Sequence, residues 1–333
     1  MWIRRALPIA CACSLFAGCT HDSPPPAGQS SPRLPSANAS SPRLGSVAHR
    51  LAVKDLGDVL PVALERMVAV PFGQKILVAG GLDAGGTSTD TVYEIDPVAK
   101  RSIVLGHMAV PFHDAAGALI GNRLVVFGGG QSVSTTTVQA FDLTTGRSRV
   151  IGELPIALSD LVSTTLGSDI FLIGGFDGSR ARRAIFRTLD GITFKRIAQL
   201  PLGLRYAAAG SLAGQLVIAG GVEDNGTSRA VYSVDIATND VTRVGSLPEA
   251  VGHASAFMLD NSMFLAGGSR GDGTAVTSIR RLAGSDAIVG GVRLPEPTAD
   301  AAPVAIGRFV YLIGGSNGNI PTTHLVRITT RSR

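Results

Sequence analysis

Six polar residues recur at one place in a repeated unit: Arg66, Asp114, Asp160, Tyr206, His253 and Asp300. Each stands fourteen residues before the first glycine of a Gly-Gly pair, the pairs lying at 80–81, 128–129, 174–175, 220–221, 267–268 and 314–315. Adjacent positions add Glu65, His113, Ser159 and Arg205. Together these side chains could do chemistry. His113 beside Asp114 has the makings of a general base held by a carboxylate, and Glu65 is a second acid/base candidate. Arg66 and Arg205 could hold an anionic ligand through charge-assisted hydrogen bonds. A plainer role is also open, since polar groups at strand starts often bond exposed backbone. Further charges follow the glycine pairs, among them Asp83, Asp177, Arg180, Arg182, Arg183, Asp224, Arg270 and Asp272. None of these loops has the alternating ligand spacing of a calcium loop, so no metal site and no cofactor is expected.

The elements that must position these residues repeat with them. Successive glycine pairs are 48, 46, 46, 47 and 47 residues apart, a period that points to blades, solenoids or arrays. After each polar position comes a run of small or apolar residues, such as Ala207-Ala208-Ala209, and then a tight turn such as Asp260-Asn261. A continuously apolar strand follows, for example Leu216-Val217-Ile218-Ala219, as expected where both faces of a sheet are covered. The glycine pair ends it. A polar loop, a third strand and a fourth strand complete the period. Four antiparallel strands per unit, with small side chains on the innermost, describe a propeller blade.

Leu-Pro, the polar position, the apolar strand, Gly-Gly and then an aromatic residue with Asp resemble the kelch repeat over about residues 50 to 333. Tyr93/Asp96, Phe141/Asp142 and Tyr232/Asp235 carry the last element, which the third, fifth and sixth units lack. The kelch Trp of the fourth strand is missing, since the only Trp is Trp2. The resemblance implies an all-β fold, a six-bladed kelch-type β-propeller of four-stranded antiparallel blades. The sixth unit ends without a fourth strand, and Leu51 to Pro61 aligns with Val241 to Pro248. The ring is therefore expected to be closed by the N-terminal strand, which removes an open seam.

The start of the chain reads as an address. Met1 to Arg5 is positive, Ala6 to Gly18 is apolar, and Leu15-Phe16-Ala17-Gly18-Cys19 resembles a lipoprotein lipobox. Residues 1–18 are then a signal peptide, Cys19 the lipidated residue, and 19–49 a Pro/Ser-rich disordered tether. Thr20 after the Cys favours transfer to an outer membrane where one exists. All three cysteines lie in the first nineteen residues, so the folded part has no disulfide. The formal charge of +5 contains no Lys/Arg run, and with the export signal this excludes a nucleic-acid partner.

Strand alternation brings the polar positions and the post-glycine loops to one face. A ligand site is expected there, built from Arg66, Asp114, Asp160, Arg205, Tyr206, His253 and Asp300. The reading is a monomeric, membrane-tethered extracytoplasmic binding module for a protein, glycan or cell-wall ligand, touching the membrane through its lipid only. The alternative is a sugar-active enzyme, because six-bladed kelch propellers of the periplasm resemble the sialic-acid mutarotases; Glu65 or His113 would then move the proton. Galactose oxidase chemistry is excluded, because it needs a Cys in the folded domain.

Overall fold

A computed structural model describes residues 51–283 and 286–331. The expected leader, the Cys19 anchor and the tether lie outside the described residues. Six four-stranded antiparallel sheets are arranged as blades, and the described residues contain no helix. The first blade comprises Val68–Phe72, Lys75–Ala79, Thr89–Asp96 and Arg101–Phe112, in that order from the axis outward. The inner strands of the others are Ala116–Ile120, Val162–Leu166, Ala208–Leu212, Ser255–Leu259 and Ala302–Ile306. Each inner strand neighbours the next, and the last neighbours the first, so the ring is closed.

Closure uses the N-terminal strand Leu51–Asp58, which pairs antiparallel with His324–Thr330 from Leu51↔Thr330 to Asp58↔His324. It is the outermost strand of the sixth blade. The apolar core is divided into six clusters, one at each interface between neighbouring blades. Continuous apolar strands follow from this arrangement, because each blade packs on both faces.

The glycine pairs are needed for conformation and for space. Gly220 and Gly221 take φ of 63° and 98°, and a Cβ on Gly220 would stand 2.2 Å from the Val251 carbonyl oxygen. Gly221 N–H donates to that same carbonyl, at 2.9 Å. The pair therefore lets the loop that enters the next blade lie directly against the second strand.

The Asp of the aromatic/Asp element caps the turn between third and fourth strands. Asp96 Oδ1 accepts from the Val98 and Ala99 N–H groups, and Asp142 Oδ1 from Thr144 and Thr145. The third blade keeps this device, contrary to the sequence reading. Phe186 takes the place of Tyr93, and Asp190, one residue further along, accepts from Ile192 and Thr193. The second blade differs the other way. Its residue at the Tyr93 position is Gln139, not Phe141, and the Gln139 amide exchanges two 3.0 Å hydrogen bonds with Val110 of the first blade.

Candidate functional site

At the start of each inner strand the chain makes the same unusual step. Arg66, Asp114, Asp160, Tyr206, His253 and Asp300 all take positive φ, from 50° to 58°. In that conformation each N–H donates to the carbonyl of the equivalent residue in the preceding blade. Asp114 donates to Arg66, Asp160 to Asp114, Tyr206 to Asp160, His253 to Tyr206, Asp300 to His253, and Arg66 to Asp300, at 2.7–3.2 Å. A closed circuit of six backbone hydrogen bonds thus surrounds the axis. A left-handed residue with a side chain costs roughly 1–2 kcal/mol, and Arg and Tyr are uncommon there. The circuit offsets that strain and satisfies the rim backbone without any help from the side chains.

The six side chains are therefore free to meet one another, and they do. None of them hydrogen-bonds to backbone among the described residues; their partners are each other and adjacent side chains. Arg66 lies among three carboxylates: Asp114 Oδ2 and Asp300 Oδ2 at 3.5 Å and Glu65 Oε1 at 3.6 Å. His253 Nδ1 is 2.8 Å from Asp300 Oδ1. The Tyr206 hydroxyl donates to Asp114 Oδ2 at 3.0 Å, and its ring stacks on His253 with centroids 3.8 Å apart. Arg205 is ion-paired with Asp160, and its guanidinium lies 4.2 Å from the Phe176 ring centroid. All six ring residues line one axial channel of about 270 Å³, whose remaining wall is mostly Ala, Gly, Val and Ser from the inner strands.

His113 joins the edge of this cluster. Its Nε2 is 3.5 Å from Asp114 Oδ2, and its Nδ1 shares a 2.8 Å hydrogen bond with Ser88 Oγ. Glu65 is buried and pairs with Arg66. All the candidates expected from sequence thus come together. Two members were not expected, Ser88 and Phe176. Phe176 directly follows a glycine pair, which is the one signal that would have placed it at the rim. The loop charges behave differently. Asp83, Asp177 and Asp272 bond N–H groups of their own loops. Arg182 pairs with Asp177, Arg183 donates to the Leu200 carbonyl, and Asp224 accepts from Ala181 N–H. Those arginines form no shared anion site. No group of metal-binding side chains is found among the described residues.

Burial sets the electrostatics. It pushes the Asp114 carboxyl well above the ordinary carboxylate range, with Asp160 and Asp300 adding to the rise against the opposing pull of Arg66 and Tyr206. Burial lowers His113, and the nearby Arg66 lowers it further. The Tyr206 hydroxyl is raised by burial and by Asp114 and Asp160. Burial opposes the charge on Arg66, but Asp114, Asp300, Tyr206 and Glu65 outweigh it, so Arg66 stays protonated.

These shifts predict a pH dependence. Asp114 binds its proton more tightly when folded, so its stabilising contribution is complete below the ordinary carboxylate range and lost as pH rises through the raised value. His113 works in the opposite sense, with a contribution present above the ordinary His value and lost as pH falls below it. Asp114→Asn should therefore remove the Asp114 decline and leave the losses on acidification, that of His113 among them. Melting temperatures of both proteins between about pH 4 and 8 check this. Parallel curves would show that Asp114 titrates normally.

The arrangement offers matched donors and acceptors with no spare positive charge. Arg66 and Arg205 are each already paired with carboxylate. Yet the Nε of each is buried and lacks a hydrogen-bond acceptor among the described residues. No protein-family model matches the chain, and no curated protein matches it in sequence. Among solved structures, one described as "Structure of YjhT" superposes with a TM-score of 0.70 at 15% identity, covering 82% of this chain and 99% of that one. At that identity the likeness is one of fold: this chain shares a six-bladed propeller with that protein.

Proposed function

We propose that this protein is a membrane-tethered extracytoplasmic binding module whose channel mouth takes a neutral, polyhydroxylated ligand, a glycan or cell-wall sugar. One observation carries the choice of ligand class. The mouth holds four carboxyl groups, Glu65, Asp114, Asp160 and Asp300, against two guanidinium groups, Arg66 and Arg205. An anion would meet no unmatched cation there. Hydroxyl groups, which donate and accept, fit both the carboxylate oxygens and the guanidinium N–H groups gathered there. The kelch-like repeat supports a binding role, and Cys19 with its Pro-rich tether supports an exported, lipid-anchored location.

A second reading, sugar anomer exchange, has its own support. Asp114 keeps a proton that ordinary carboxyls lose, while His253 is oriented by Asp300 and stacked on Tyr206. A protonated carboxyl and a carboxylate-oriented imidazole at one mouth suit proton transfer to and from a ring oxygen. The charge balance favours a neutral sugar over a carboxylated one in this reading also.

A glycan and cell-wall-fragment array probed with the domain from residue 47 onward tests the ligand class. Neutral sugars should bind, and added carboxylates should not strengthen binding. Recognition confined to acidic glycans would overturn the reading. Anomer exchange of each bound sugar, followed by NMR, separates the enzyme from the binding module.

A further inference from the structure

Glu249 and Arg280 meet at the interface of the fourth and fifth blades. Arg280 stands in the third strand of the fifth blade, Ser278–Ala283, opposite Leu265. By register this is the place that Tyr93, Phe186 and Tyr232 fill in other blades. A guanidinium there is fully buried. A buried cation requires matched anions and acceptors. Arg280 is ion-paired with Glu249, and its Nη1 donates to the Gly267 carbonyl at 3.4 Å. Its Nε has no acceptor among the described residues.

A cavity of about 300 Å³ adjoins this pair, lined by Glu249, Arg270, Thr277, Ser278 and Arg293 among others. Arg270 Nε donates to the other Glu249 oxygen at 2.9 Å. Among the described residues Arg293 has only the neutral Thr277 hydroxyl, at 3.2 Å. Ser278 is more than nine-tenths buried, and its hydroxyl has no partner among the described residues. Two guanidinium groups therefore bind one carboxylate, a third lines the same cavity, and two buried donors are left over. Burial opposes charge on Glu249, but Arg270 and Arg280 bind its ionised form and hold its carboxyl below the usual range.

We propose that this cavity is a binding site for a small oxyanion, a carboxylate or a phosphate group, distinct from the channel mouth. The entering oxyanion bonds Arg293, Arg270 and the Ser278 hydroxyl, and Glu249 is its internal competitor for Arg270. The excess positive charge that the mouth lacks is found here. The backbone beside the cleft pairs with the backbone beside the ring: Gly252, next to His253, bridges to Ser269, next to Arg270.

The test titrates inorganic phosphate, and malonate in parallel, into the mature protein at constant ionic strength, read by calorimetry. Saturable binding is expected, weakened about tenfold by Arg293→Ala, the loss of one charge-assisted bond. Arg149→Ala, which removes an exposed Arg of the second blade, should leave it unchanged. Glu249→Gln should lower the melting temperature and increase the rise produced by the better anion, because Arg280 then lacks its internal partner. Tighter phosphate identifies a phosphate group as the natural ligand, and tighter malonate a carboxylate. No saturable binding by either anion, equal loss in Arg293→Ala and Arg149→Ala, or no anion-dependent difference in Glu249→Gln would each overturn the site. Those outcomes leave the mouth untouched, since the mouth is read with neutral glycans.

Discussion

A chain beginning at residue 47 should melt cooperatively near the temperature of the longer protein, whereas one beginning at residue 61 should fail to form a stable ring. The second truncation removes the whole outer strand of the sixth blade and exposes the edge of His324–Thr330. It also removes Leu51 from the core between the fifth and sixth blades, and Leu56, Val59 and Leu60 from the core between the sixth and first. Each fully buried Leu or Val contributes about 1.5–3 kcal/mol, so four of them rival the whole stability of an ordinary domain. Aggregation through the bared edge should accompany the loss. Equal melting temperatures for the two truncations, measured by calorimetry, would rule out closure by this strand.

Arg66→Ala should lower stability by about 3 kcal/mol, the lower end of the cost of breaking a buried ion pair. Its side chain is 28% exposed, which moderates the effect, but Glu65, Asp114 and Asp300 all lose their shared cation. For a domain of this size that corresponds to a fall of roughly 6–12 °C in melting temperature. Adding Asp300→Asn should recover part of the loss by removing one stranded carboxylate, and the double-mutant cycle measures that coupling. An unchanged melting temperature in Arg66→Ala would show that the carboxylates are satisfied by solvent. Read from sequence alone, Arg66 is a free cation awaiting an anion; paired as it is, it acts first as the electrostatic centre of the mouth.

The blades were legible because a glycine pair and a polar residue fourteen positions earlier repeat six times, and each has a backbone reason. The first glycine makes room for a carbonyl, or at Gly80 for the Phe112 ring, and the polar residue turns the chain through positive φ. Convergence of the site followed from strand alternation. What could not be read was the partner of each charge. Nothing local distinguishes Asp177, which caps its own loop, from Asp160, which pairs with Arg205 of the next blade. The Phe186/Asp190 pair escaped because one extra residue breaks the spacing. Arg280 and Glu249 lie 31 residues apart, and the repeat places Tyr93, Phe186, Tyr232 and Val326 at the Arg280 position of other blades, so only the packing of two blades joins them. The backbone circuit itself was hidden, since neither Arg nor Tyr announces a left-handed conformation.

The central claim is that the circuit frees the ring side chains to form one ligand site at the channel mouth. Imidazole chemical shifts test it most directly. His113 and His253 border the mouth, while His107 pairs with Asp90 and His324 with Glu296 away from it. Histidine-labelled protein is titrated with the strongest neutral glycan from the array. The account predicts saturable shifts at His113 and His253 with one dissociation constant, and none at His107 or His324. A glycan that binds while leaving His113 and His253 unmoved would contradict it.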